Sequence, residues 1–126
     1  MNVNFVRKDQ FLNWWQGIDK MDKLIEIKTI EEFDKIRTGK TIIMFTADWC
    51  PDCMFVKPFI GDIVSANPEF KFYLINRDNL LDLCKDLDIL GIPSFVAYED
   101  SEEIGRFVSK LRKTKEEIQT FIDSVK

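Results

Sequence analysis

The chain has no histidine, and its cysteines number only three. A structural zinc site wants four Cys or His ligands. Such a site here would need carboxylates or a second subunit, so no metal is expected. An odd cysteine count also argues against a secreted disulfide scaffold. Glycine and proline are sparse, at five and four residues, and no Pro/Gly-rich linker, internal repeat or low-complexity tract divides the chain. Net positive charge is absent: 18 basic residues stand against 22 acidic ones, for a formal charge of −4. Nucleic acid and anionic membranes are therefore not expected as partners, because both need a basic face. Long apolar runs are missing too. The longest uncharged one, "TIIMFTA" (Thr41–Ala47), is far too short to span a bilayer. Arg7, Lys8 and Asp9 interrupt the start, and no secretory signal is visible. The default location is cytoplasmic.

What is present suits a single packed domain. The 126 residues are 45% hydrophobic, with eleven phenylalanines and three tryptophans, enough large side chains for one core. Phe5 to Met21 reads as a helix with Phe11, Trp14, Trp15 and Ile18 on one broad side. Residues 1–23 are thus expected to be a helical extension packed on a domain formed by residues 24–126. "LIEIK" (Leu24–Lys28) reads as a short strand. Thr29 with Glu32 has capping-box spacing, Phe33 and Ile36 face inward, and Gly39 is a stop. Thr41–Ala47 reads as a central buried strand. A helix from about Cys53 to Ser65 follows, then a second central strand, Phe70–Asn76. Asp78 is expected to cap a helix whose inner stripe is Leu80, Leu83, Cys84 and Leu87. Ser94–Glu99 and Glu103–Val108 read as a hairpin turning at Asp100–Ser101. Thr114 with Glu117 opens the last helix, which buries Ile118, Phe121, Ile122 and Val125. The fold class is α/β: a mixed sheet flanked by helices, mainly parallel, with an antiparallel pair at the end.

The chemistry concentrates in "TADWCPDC" (Thr46–Cys53), at the carboxyl end of a central strand where a helix begins. Open α/β sheets place reactive groups there. With Cys50 as helix cap, Pro51 takes the first helical position, where its missing N–H costs nothing. Cys53 falls at the third position, the one that meets the cap. The two sulfurs come within reach of one short disulfide. Unpaired backbone N–H groups at the helix start favour a thiolate at Cys50. Asp52 opposes it: a carboxylate roughly 7 Å away costs the anion about 0.6 to 2.4 kcal/mol. The balance is a moderately favoured anion, which suits a reductant more than a strong oxidant. Cys50, at the exposed end of the helix, attacks; Cys53, one turn deeper, resolves. The competing readings are half of a metal site or two inert cysteines.

"MFTADWCPDCMFVKP" (Met44–Pro58), followed some forty residues later by "GIPSFVAY" (Gly91–Tyr98), resembles the thioredoxin superfamily over roughly Ile27 to Val125. The "WCPDC" form resembles that of a subset of thioredoxin-related proteins. The resemblance implies a thioredoxin fold and a thiol–disulfide oxidoreductase that needs no cofactor. It implies an Ile92–Pro93 cis peptide facing the dithiol, with an extended substrate segment pairing along the backbone before Pro93. Trp49, Pro51, Asp52, Ile92 and Pro93 are the implied substrate-binding residues, and Pro58 should kink the helix. Partners would be disulfide-containing proteins or small molecules, plus a separate thiol reductase, with the chain acting as a monomer. The family's buried aspartate falls at Met44 here, and its usual lysine partner at Leu74. Losing both charges together avoids stranding one. The family's glycine after the last strand falls at Ser109. Cys84 reads as a core residue and Lys57 as a surface lysine. The rival reading is a thioredoxin-fold adaptor that uses the dithiol as a redox-sensitive latch.

Overall fold

A computed structural model describes residues 24–126. Five strands form one mixed sheet: β1 (Ile25–Glu26), β2 (Lys40–Thr46), β3 (Lys71–Asn76), β4 (Ser94–Glu99) and β5 (Glu102–Phe107). Their spatial order is β1-β3-β2-β4-β5. β1 and β2 run parallel to β3, whereas β4 is antiparallel to β2 and β5 is antiparallel to β4. The helices are α1 (Ile30–Lys35), α2 (Pro51–Ala66), α3 (Leu81–Asp86) and α4 (Lys115–Ser124). The helix expected over Phe5–Met21, with Trp14 and Trp15, lies outside the described residues.

β2 explains the layering. Its residues are buried from Thr41 onward, and their alternation sorts them between two cores. Ile43 and Phe45 pack with Phe33, Ile75, Leu83, Cys84 and Val96. Ile42 and Met44 pack with Val56, Ile60, Ile63, Ile118 and Ile122. The second core is the face covered by α2 and α4; α1 and α3 supply the first. An unalternating apolar strand requires cover on both faces, and each fully buried Ile or Phe contributes about 1.5–3 kcal/mol.

Local signals produce the element ends. Thr29 and Thr114 both form full capping boxes, with Glu32 and Glu117. Gly39 follows α1 at φ +65°, a backbone conformation that side-chain-bearing residues seldom adopt. Asp100 and Ser101 turn the β4–β5 hairpin at φ 50° and 74°, matching the right-handed twist of the strands. Asp100 also accepts a bond from the Gly39 N–H at 2.8 Å.

The differences from expectation are local. α2 begins at Pro51 and runs on through Pro58 without a break. Its first turn is closed by the Cys50 side chain, so the helix starts two residues earlier than apolar periodicity indicates. Asp78 is not a helix cap. It lies in a short 3-10 turn, Arg77–Asn79, capped by Asn76, and α3 follows with no side-chain cap. The Asp78 carboxylate is engaged elsewhere, at Trp49.

Candidate active site

β2 ends at Thr46, and the chain turns through Ala47 to Trp49 into α2. Cys50 caps that helix. Its Sγ accepts the backbone N–H of Cys53 at 3.1 Å, and Pro51 occupies the first helical position. Cys50 also lies 3.7 Å from the Ile92 carbonyl oxygen, to which its thiol donates. Ile92–Pro93 is a cis peptide. The two segments that sequence spacing singled out, 42 residues apart, therefore meet at one sulfur. All three cysteines are free thiols.

Cys50 is only 4% exposed and Cys53 1%. Cys50 is thus less open than its place at a helix end suggests; the carbonyl of the buried Ile92 lies against it. It still lines a groove of about 430 Å³ bounded by Trp49, Pro51, Asp52, Arg77, Gly91, Ile92 and Lys110. Cys53 does not reach that groove. Burial pushes the Cys53 thiol from 9.0 up to about 11, helped by its hydrogen bond with Cys50 and opposed by bonds with the Thr46 side chain and the Ala47 backbone. That disfavours the Cys53 anion by about 3 kcal/mol. The pair is asymmetric: one sulfur faces the groove and the helix N–H groups, and the other is held protonated behind it.

Asp52 behaves differently from the isolated charge expected. Its Oδ1 accepts from Arg112 Nε at 2.9 Å. The guanidinium also stacks 4.5 Å from the Phe55 ring centroid. A carboxylate so paired repels a neighbouring thiolate less than a free one. Trp49 is 59% exposed yet held in place. Its indole N–H donates to Asp78 Oδ2 at 2.8 Å, and the Arg77 guanidinium lies 5.7 Å from its ring.

Met44 stands opposite Leu74 on β3 and opposite Phe95 on β4. The two positions that carry charges in the resemblance are therefore neighbours here, both in an apolar core. Cys84 is 3% exposed and raised from 9.0 to about 11 by burial, as a core thiol should be. Lys57 is exposed on α2. Among the described residues, no group of three or more His, Cys, Asp or Glu side chains could hold a metal. No helix among them is long and apolar enough to cross a membrane.

Four residues at this site escaped sequence reading. Arg112 and Lys113 sit in "SKLRKTK", which reads as a solvated charge run. Asp78 looks like a cap. Gly91 looks like an ordinary turn, but a Cβ there would collide with the Ser109 carbonyl and Lys110 Cα. No sequence signal separates Arg112 from its basic neighbours, since its partner is 60 residues away.

A capped, asymmetric dithiol at a strand–helix junction, facing a cis-proline loop on this sheet, defines a protein of thiol–disulfide exchange. The Thioredoxin family model matches residues 23–124. A thioredoxin H-type from Fagopyrum esculentum is 31% identical over 80 residues, covering 62% of this chain and 69% of that protein. Thioredoxin-3 of Saccharomyces cerevisiae mitochondria is 27% identical over 108 residues, covering 86% and 82%. The crystal structure of that yeast protein in its oxidized form superposes with a TM-score of 0.71 at 22% identity, over 82% of this chain and 98% of that one. The chain belongs to the thioredoxin family, and it is a thiol–disulfide oxidoreductase. The adaptor reading is not favoured.

Proposed function

We propose that the chain reduces disulfides in proteins or small molecules, with Cys50 as nucleophile and Cys53 as resolving thiol. The observation that carries this reading is the placement of Cys50 Sγ. It lies 3.1 Å from a helix N–H and 3.7 Å from the Ile92 carbonyl, at the wall of an open groove. The Cys50 thiolate attacks one sulfur of the substrate disulfide, and the other sulfur leaves as a thiolate that takes up a proton. Cys53 then loses its proton and attacks the Cys50 sulfur. The second substrate thiol is released and an intramolecular disulfide remains. Two electrons from a separate thiol reductase restore the dithiol.

Trp49, Pro51, Asp52, Ile92 and Pro93 are the residues proposed to hold the substrate. An extended segment would lie along the Ile92 backbone, with Trp49 as an apolar wall. Residues 24–126 would form the catalytic domain, and residues 1–23 a helical extension packed on it. We assign the protein to a reducing compartment, the cytoplasm, as a monomer without nucleic-acid or membrane partners. The acidic net charge supports the last two points. Reduction of a model protein disulfide tests the core of the reading. Cys50→Ser should lose at least about a thousandfold in rate; a variant as fast as wild type would remove Cys50 from the mechanism.

A further inference from the structure

The groove that Cys50 lines carries an unbalanced charge. Three charged side chains line it: Asp52, Arg77 and Lys110. Asp52 is already paired, because its Oδ1 accepts from Arg112 Nε at 2.9 Å. Among the described residues, neither Arg77 nor Lys110 forms an ion pair. Asp78 adjoins Arg77 in the chain, but its carboxylate accepts the Trp49 indole N–H at 2.8 Å. Asp82 and Asp88 line a second cavity that Arg77 shares, and they temper its charge without pairing with it. The groove wall is therefore locally positive on a chain whose formal charge is −4. Charges farther than about 8 Å are largely screened at physiological salt, so a bound segment responds to this wall and not to the net charge.

The fold holds both cations at the groove. Arg77 begins the 3-10 turn that follows β3. Its guanidinium lies 5.7 Å from the Trp49 ring centroid, and the indole is itself anchored on Asp78. Lys110 is exposed, on the segment that follows β5, but its backbone is pinned. A Cβ on Gly91 would stand 2.7 Å from Lys110 Cα. The next residue, Ile92, places its carbonyl 3.7 Å from Cys50 Sγ. Lys113 fastens the same loop: its Nζ donates to the Ser109 carbonyl at 3.2 Å, to Ser109 Oγ at 3.1 Å and to the Leu111 carbonyl at 2.9 Å. Two separate loops thus bring one cation each to the groove that holds the nucleophile.

We propose that Arg77 and Lys110 are specificity-determining residues: they select disulfides in peptide segments that carry carboxylates beside the cysteine. The proposal rests on the reading of Cys50 as nucleophile and names the substrate class for that site. A segment laid along the Ile92 backbone presents its cysteine to Cys50 and its neighbouring side chains to the groove walls. A glutamate or aspartate there meets two counter-charges, whereas a lysine meets two like charges. Such contacts choose the partner and speed its capture; they take no part in the sulfur chemistry. In a solvent-filled groove each pairing is worth about threefold in rate, and the two together about tenfold.

The test uses disulfide peptides that differ only in the residues flanking the cysteine: glutamate, glutamine or lysine. The prereduced full chain reacts with each peptide in excess, and release of the peptide thiol is followed by chromatography. The quantity read is the ratio of rate constants for the glutamate and glutamine peptides. Comparing that ratio between proteins cancels the intrinsic reactivity of the peptides and any change at Cys50 itself. At low salt, Arg77→Gln and Lys110→Gln should each lower the ratio about threefold, and the double variant about tenfold. The lysine peptide should gain in the same proportion. Arg77→Lys keeps the charge and should keep the wild-type ratio. Lys110→Glu, at an exposed position away from the core, should lower the ratio further than Lys110→Gln. All of these differences should shrink at 1 M salt. A double variant with the wild-type ratio overturns the proposal, as does an equal loss at high salt, which marks a packing effect. In both cases the glutamine peptide is still reduced and the dithiol reading stands. If wild type reduces none of the peptides, that reading falls and the proposal falls with it.

Discussion

Alkaline titration of the reduced protein offers a quantitative test of how the fold holds Cys53 and Cys84. Both thiols are raised from 9.0 to about 11, chiefly by burial. A raised folded-state pKa means that the stability is fully present below about pH 9 and is lost as pH climbs through about 11, because the unfolded chain releases its protons first. Between pH 8 and pH 10 each thiol should cost the folded state about 1.3 kcal/mol, and together about 2.6. For a chain of this size, one kcal/mol moves the thermal midpoint by about 4 °C. Thermal unfolding at pH 8 and pH 10 of reduced wild type and reduced Cys84→Ala measures the difference. The variant should fall by about 5 °C less than wild type, and oxidising its Cys50–Cys53 pair should remove most of the remaining thiol-linked loss. Only slopes are compared, so the packing cost of the substitution and the titration of other groups cancel. Parallel losses in all three samples would show that burial does not hold these protons and that the asymmetry of the dithiol has another origin.

Three further outcomes follow from the site. Arg112→Ala should change stability by less than about 1 kcal/mol, because the ion pair is exposed. It should also slow Cys50 alkylation at neutral pH about two- to fivefold at low salt, a difference that shrinks at 1 M salt as the freed Asp52 charge is screened. Gly91→Ala should cost about 1–3 kcal/mol in denaturant unfolding and slow disulfide reduction, because the new Cβ pushes the Ser109 backbone away from the Ile92 loop. Met44→Asp should cost about 3 kcal/mol or more in urea unfolding, since it buries a carboxylate against Leu74 and Phe95. Adding Leu74→Lys should recover part of that loss.

Much of this architecture was legible locally. Thr29–Glu32 and Thr114–Glu117 cap helices because each box closes over three residues. Thr41–Ala47 reads as a central strand because a β-branched apolar run has one place to go in an α/β sheet. Cys50, Pro51 and Cys53 announce a helix start by spacing alone. The short range of these interactions makes them visible in a window of ten residues. Asp78 is the counterexample. Its local context fits a cap, but the indole N–H of Trp49, 29 residues away, takes its carboxylate.

The sequence by itself determined the element order, the two capping boxes and the dithiol at the head of α2, each through contacts between residues close in the chain. The tertiary structure alone decided what surrounds the sulfurs. It brings Arg112 to Asp52 across 60 residues, sets Met44 against Leu74 and Phe95, and buries Lys113 beneath a run of surface-like charges. Whether a lysine is solvated or buried depends on which loop closes over it. That is settled by the packing of Ser109 and Lys110 against Gly91, a close approach that only a glycine at 91 permits but that the local sequence does not reveal.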